Sequence, residues 1–375
     1  MRRIILIAAL ALPAWMPAQD KPADPQAQPA QGQPNNKPAA PPKTGEAKKA
    51  RSGDEALKPK LSRSPIGVTA GAAGWNDEAL MPNLSRSPTG YVEDAAVGTM
   101  VRVRFDAGFD MTAPDRAEFF YAKCGCYRAA GADPNAPGPG ALIVTNLRFQ
   151  EAHVNVEYAP ARRFSLFVDA SGRSVQPQTG VGGPLFGAQT GPGDLQAGFK
   201  FAPLASPGGY LTFQLRSYIP TGDSELGLGT GHYSIEPSLL FTRKLTRATA
   251  LSGQFSVWHP IGGSSGAGFD PAVATQSFAG NVLTFGAGVS HRFLLAQNLR
   301  MAPVVEIVGW SVRSGLVTLP SPPPPTSADA NILNAKLGAR FFVATHNTIY
   351  VGVGRQLSHI GWYRDFIRVE YARIF

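Results

Sequence analysis

From Thr99 to Phe375 apolar and polar side chains alternate with a period of two, the signature of strands that present one face to an apolar medium and the other to a polar one. Val101, Val103, Phe105 and Ala107 oppose Arg102, Arg104, Asp106 and Gly108. Leu195, Ala197, Phe199 and Phe201 oppose Asp194, Gln196, Gly198 and Lys200, and Leu333, Ala335, Leu337 and Ala339 oppose Asn334, Lys336, Gly338 and Arg340. The pattern predicts about twelve strands, near 99–109, 147–158, 163–170, 193–201, 210–219, 231–242, 249–258, 282–293, 299–311, 331–342, 348–356 and 363–375. Most have the length of a tilted membrane strand.

The connections alternate in length. Long ones fall near 110–146, 171–192, 220–230, 259–281 and 312–330, and short ones at 159–162, 202–209, 243–248, 294–298 and 343–347. That asymmetry, with no segment of helical period after the first residues, predicts an all-β fold: a transmembrane antiparallel up-and-down β-barrel. The last stretch, YRDFIRVEYARIF, ends on Phe375 with Tyr371, Val369 and Ile367 on one face. It resembles the terminal insertion signal of bacterial outer-membrane barrels, Arg373 being the departure, and the barrel-assembly machinery is the partner that such an ending implies. An even strand count puts both chain ends in the periplasm.

The first residues lack this pattern. Met1-Arg2-Arg3, the apolar run Ile4 to Ala14 and the small Ala18 form the layout of a secretory signal peptide, residues 1–18, which predicts export to the outer membrane. Residues 19–98 are rich in Pro, Ala, Gln, Lys and Ser and poor in large apolar groups, so they predict a disordered periplasmic arm ahead of a barrel at 99–375. From Lys37 to Arg63 the arm carries eight basic residues against three acidic, in a chain of net charge +9. For an exported arm this points to anionic lipid head groups or cell-wall polymer and excludes nucleic acid. Within it Asp54–Gly67, DEALKPKLSRSPIG, recurs as Asp77–Gly90, DEALMPNLSRSPTG, with 11 of 14 positions shared at a period of 23 residues. Two copies are too few for a solenoid. The repeat predicts either a pair of docking peptides for cell wall or a periplasmic partner, or a linker duplication without function.

The inward faces place Arg102, Arg104, Lys200, Arg216, Arg292, Lys336, Arg340 and Arg368 in the lumen with Asp106, Glu157, Asp169, Asp194, Glu236, Glu306 and Glu370. Both signs are abundant, so the charges either line a narrow, loop-constricted passage or occlude it through paired networks. Cys124 and Cys126 sit in the first long loop, where an oxidising compartment predicts a local disulfide. A metal site would need two further ligands and the nearest histidine is His153, so neither metal nor cofactor is expected. His232 and Ser234 share the His-x-Ser spacing of outer-membrane lipid A deacylases, but Tyr233 and Ile235 claim the lipid face and turn the pair inward. No catalytic centre is predicted.

At Gly191-Pro-Gly-Asp-Leu195, Pro220-Thr-Gly-Asp223 and Gly227-Leu-Gly-Thr-Gly231 the chain resembles outer-membrane proteins of the phenol meta-pathway transporter family, over about residues 190–375. The resemblance implies a barrel that moves small, often apolar or aromatic, molecules. The expected function is therefore passive movement of a small solute across the outer membrane, the alternative being a structural barrel tethered through its arm. The motifs themselves are turn chemistry.

Overall fold

In the computed structural model, residues 86–112, 143–181, 187–263, 277, 279–315, 331–359 and 361–375 are described. Fourteen strands form one antiparallel sheet. They are β1 (Met100–Met111), β2 (Ile143–Ala161), β3 (Phe164–Val181), β4 (Gln189–Pro192), β5 (Leu195–Ser206), β6 (Gly209–Ile219) and β7 (Tyr233–Lys244). There follow β8 (Thr249–Ile261), β9 (Val282–His291), β10 (Phe293–Ala296), β11 (Leu299–Val312), β12 (Asn331–Val343), β13 (Asn347–Gln356) and β14 (Asp365–Ile374). Each pairs with its sequence neighbour, except that β4 only flanks β3 and β10 only flanks β11. The last strand pairs with the first, Met100 opposite Ile374 and Gly108 opposite Phe366, which closes a twelve-strand barrel.

Closure pairs each of the twelve barrel strands on both sides, so that only the short flanking strands β4 and β10 keep an open side, and the exterior explains where such a barrel is stable. Val103, Phe105, Val154, Val156, Leu166, Val168, Leu239, Phe255, Val305, Ile307, Leu337, Val351, Val353 and Val369 all point out and stay exposed. A continuous apolar outer surface on a closed sheet is the arrangement that hydrocarbon requires, since the ladders around the barrel pair its backbone internally. Tyr371 and Phe375 lie on the same outer face, with the Arg373 guanidinium 5.4 Å from the Phe375 ring.

Some strands run longer than alternation predicts, β3 most of all. β3 extends to Val181 and β4 follows at Gln189, so much of the expected loop 171–192 is sheet. Polar Ser171 and Arg173 on the inward face and Ser174 and Gln176 on the outward one hid this extension, because they break the alternation on both faces. Cys124, Cys126 and residues 54–67 lie outside the described residues.

The larger correction concerns the arm. Residues 86–98, assigned by composition to a disordered tether, run inside the barrel. Arg86, Ser87 and Thr89 are buried, as are Val92, Ala95 and Ala96. Both limbs of this segment start at the short-turn end: Ser87 meets Ser252 near the turn after Lys244, and Gly98 leads directly into β1. The bend between them, at Gly90–Val92, reaches mid-barrel opposite Glu306. Composition fails here because the segment gains little from burying apolar area. Its backbone is instead ordered by charged side chains supplied from far along the chain.

Candidate functional site

The inward face of β11 sets the floor of the lumen. On it stand Glu306, Val308, Trp310 and Val312, all buried, while Val305 and Ile307 point out. The Glu306 carboxylate accepts three consecutive backbone N–H groups of the bend, from Gly90 at 3.2 Å, Tyr91 at 3.0 Å and Val92 at 2.7 Å, and the Tyr350 hydroxyl donates to it at 3.2 Å. Consecutive amides converging on one anion form a concave backbone site, and here the anion is a side chain of the barrel wall. Gly90 must be glycine at this place, because a Cβ would lie 2.1 Å from the Tyr350 ring.

The other charged groups grip the carbonyls. Arg340 donates through Nε to Pro88 O at 3.0 Å and through Nη2 to Thr89 O at 2.7 Å, while Nη1 holds Glu370 at 2.7 Å. Arg368 donates to Gly90 O at 2.6 Å and makes a two-pronged pair with Asp106, both bonds 2.7 Å. On the returning limb Lys200 donates to Asp94 O at 3.1 Å, Thr212 to Ala95 O, and Glu157 accepts from Gly98 N at 3.2 Å. The limbs also clasp each other, Arg86 Nη1 reaching Asp94 at 3.2 Å and Ala96 O at 2.8 Å. The backbone of the segment is thus satisfied by the wall together with its own Arg86, Ser87, Thr89 and Asp94 side chains, which is why it can lie buried without a partner strand.

Glu93 anchors the third side. It pairs with Arg216 at 2.8 Å, and its N–H donates to Gln254 at 2.6 Å. Burial works against ionisation of Glu93, but the Arg216 guanidinium, with Arg102 and Lys200 behind it, holds its carboxyl well below the ordinary value of 4.5. A carboxyl with a depressed native pKa stabilises the docked state fully above its free pKa and loses that contribution as pH falls through the native one. The segment should therefore stay protected from protease from neutral pH down past 4.5, and loosen only in stronger acid; Glu93→Gln should remove that acid-dependent part of the loss.

Beyond the bend lies a chamber of about 200 Å³. Tyr91, Tyr218, Trp258, Trp310, Tyr363 and Phe366 give it aromatic walls, and Arg104, Asp106, Glu151, Arg173, Glu236 and Lys336 add charge of both signs. The Lys336 ammonium is solvated by rings, 4.3 Å from the Tyr91 centroid, 4.4 Å from Tyr363 and 4.5 Å from Phe366, and donates to Tyr363 Oη at 2.6 Å. Burial pushes the Tyr91 phenol up, so it stays neutral, and its hydroxyl has no hydrogen-bond partner among the described residues. Past the chamber the inward side chains become apolar: Phe149, Leu147, Met111, Val282, Ile332 and Trp362 form one buried cluster. Sequence reasoning missed these inward rings. Their signal was Trp310 and Val308 sharing the alternation of Glu306, which makes both faces of β11 apolar at its distal end.

The remaining sequence candidates have defined places. Arg102 lies 3.9 Å from Glu370 and Arg104 3.1 Å from Asp106. Asp169 holds His153 Nδ1 at 2.7 Å. Glu236 accepts from Tyr218 and Ser256, both at 2.6 Å. Arg292 stands apart from the chamber, its guanidinium 4.9 Å from the Phe342 ring near the short turns. Asp194 is a loop organiser more than a lumen charge: it accepts from Gly222 N at 3.0 Å and from Thr230 N and Oγ1, both at 2.8 Å. Thr221 adds a bond to Gly193 O at 3.0 Å, so the three Gly-rich motifs meet in one knot at the long-loop end. Gly229 fits there because a Cβ would sit 2.4 Å from Asp194 Oδ1. His232 and Ser234 are buried and inward, His232 Nδ1 lying 2.9 Å from Thr230 O.

Similarity to known proteins is confined to the architecture. Aligned solved structures include an outer membrane channel from Pseudomonas putida F1 (TM-score 0.47, 14% identity, 77% of this chain and 100% of that one). The beta domain of the Bordetella autotransporter Brka aligns with TM-score 0.44 and 11% identity over 74% of this chain and all of its own. The NanC porin aligns with TM-score 0.40 and 8% identity over 74% of this chain and all of its own. No family model and no curated protein matches the chain.

Proposed function

We propose that this protein is an outer-membrane channel for a small solute whose lumen is stoppered by its own residues 86–98. The observation that carries the reading is the combination of a closed barrel, an interior lined by charge, and a segment held there by a dense set of hydrogen bonds and ion pairs, with Tyr91 and Val92 as its apolar contacts. Polar contacts can be exchanged for water when the segment leaves, whereas an apolar plug would have to expose its area. Among the described residues the constriction is this segment; most of the long-loop residues that the loop lengths pointed to lie outside them. The chamber beyond the bend is where the solute rests, its rings and charges suiting a small molecule with one flat apolar face and one polar group. Both termini and the short turns face the periplasm in this reading, the signal peptide is removed, and the barrel-assembly machinery recognises the final strand.

A second reading keeps the segment permanently in place and makes the barrel a structural anchor, with the preceding arm bound to cell wall or a periplasmic partner. The burial of Arg86 and Glu157 within the segment's grip favours it. Planar bilayers separate the two. Intact protein should give rare, small current steps, and a variant with residues 86–98 replaced by a Gly/Ser linker should conduct steadily. Silence from both, in protein that still changes gel mobility on boiling, would leave the structural reading.

A further inference from the structure

We infer that the lumen is a recognition site for the sequence Arg-Ser-Pro-x-Gly, and that Arg63–Gly67 is its second occupant, able to replace Arg86–Gly90. The seated copy shows what the wall reads. On the wall, Arg86 is read by Glu157 at 3.7 Å and Ser87 by Ser252, Oγ to Oγ 2.7 Å; Asp94, on the segment itself, adds a 3.2 Å pair to Arg86 and accepts the Ser87 N–H at 3.1 Å. The carbonyls of Pro88 and position 89 are read by Arg340, and the N–H and carbonyl of Gly90 by Glu306 and Arg368. Gly90 is also read by exclusion, since the Tyr350 ring fills the space of a Cβ.

Arg63, Ser64, Pro65 and Gly67 repeat these identities in order. The one difference falls at Thr89, where residue 66 is Ile: the wall takes a backbone oxygen from position 89, while the Thr89 hydroxyl, which Ile66 lacks, bonds within the segment to Ser87 Oγ at 2.6 Å and Val92 O at 3.0 Å. Arg63, Ser64 and Gly67 thus keep the side-chain identities that Glu157, Ser252 and Tyr350 read, and Pro65 keeps the ring that precedes the two carbonyls taken by Arg340. The two occupants are not equivalent further along. Val68, Thr69, Ala70 and Gly71 stand where Tyr91, Val92, Glu93 and Asp94 follow the first copy's counterpart. Exchange would therefore remove the Tyr91 ring from Lys336 and Arg368 and the carboxylate from Arg216, leaving a lumen richer in free positive charge. Loss of the Glu93 and Asp94 contacts also makes Arg63–Gly67 the weaker occupant, so the seated copy is the one expected at rest. The inference concerns what the lumen binds and stands whether or not the barrel conducts.

Disulfide trapping in the full chain tests it, with Cys124→Ser and Cys126→Ser as background. Ser87→Cys with Ser252→Cys should cross-link readily, since the two oxygens are 2.7 Å apart, and serves as the positive control for a folded barrel. Ser64→Cys with Ser252→Cys should cross-link weakly at rest and strongly once Gly90→Leu expels the resident copy. The yield should exceed that of Ala72→Cys with Ser252→Cys, a tether control outside the motif, by roughly tenfold, the ratio that a single charge-assisted hydrogen bond supplies. Adding Gly67→Leu should abolish the excess, because the same Tyr350 clash applies. Should Gly90→Leu impair assembly, Glu93→Ala with Asp94→Gly removes the resident's advantage without touching the motif and should raise the same cross-link. Equal yields at positions 64 and 72 in both backgrounds, or an excess that survives Gly67→Leu, would overturn the inference.

Discussion

Replacing Glu306 with Ala should release residues 86–98 from the lumen while leaving the barrel closed. Three consecutive N–H groups lose their acceptor at once, and nothing else on the wall is placed to take them. Hydrogen bonds to a charged group are worth about 1.5–3 kcal/mol each, but these share one carboxylate and part of their value returns as bonds to water. A net loss of about 3 kcal/mol is reasonable, which is roughly a hundredfold in the docking equilibrium. Limited proteolysis should show cleavage between Arg86 and Gly98 appearing on that scale, and bilayer recordings should show long openings in place of rare steps. Glu306→Gln keeps one carbonyl oxygen and should fall between. Wild-type protection in Glu306→Ala would mean that Arg340 and Arg368 hold the segment without the carboxylate.

Arg368→Ala should cost more, and it should cost the barrel as well as the segment. Arg368 is the cross-strand partner of Asp106 at the β1–β14 seam, with a two-pronged pair of 2.7 Å bonds, and it also donates to Gly90 and stacks 4.6 Å from the Tyr91 ring. Its removal leaves the Asp106 carboxylate buried with Arg104 alone, at 3.1 Å. Stranding one member of a buried pair costs about 3–5 kcal/mol. The temperature at which the folded form converts to the unfolded gel band should drop clearly. Asp106→Asn combined with Arg368→Met should recover most of the barrel's loss, because no uncompensated charge remains, but not the segment's, because Gly90 O still lacks its donor.

These two residues also show how far the chain could be read unaided. Asp106 and Arg368 were legible as inward charges because alternation fixes the face of every residue on a half-buried strand, and loop lengths fixed which strands were neighbours. What alternation cannot give is the partner of a charge that reaches across the lumen. Glu306 looked like one more lumen carboxylate, whereas its work is to bind backbone amides some 215 residues earlier. The segment itself was misread for the complementary reason. Pro88, Thr89, Gly90 and Ala95 carry no apolar signal, so composition described a chain that nothing would order, and the groups that order it were scattered over β2, β5, β6, β11, β12 and β14. The inward rings Trp258, Trp310 and Tyr363 were hidden differently, since a face that changes from charged to aromatic along one strand breaks the pattern used to assign it.

The hairpin course of residues 86–98 has a mechanical consequence. Because the limb that begins at Arg86 and the limb that ends at Gly98 both lie at the short-turn end, tension on the chain ahead of Arg86 loads the bonds one after another. Arg86 would yield first, then Ser87, then the Pro88 and Thr89 carbonyls on Arg340, then the cluster at Glu306, and last the returning limb's contacts with Arg216, Lys200, Thr212 and Glu157. A strand pulled lengthwise through the barrel would have to break all of these together. Peeling asks only for the strength of the next contact, so a small steady pull can empty a lumen that random thermal motion leaves shut.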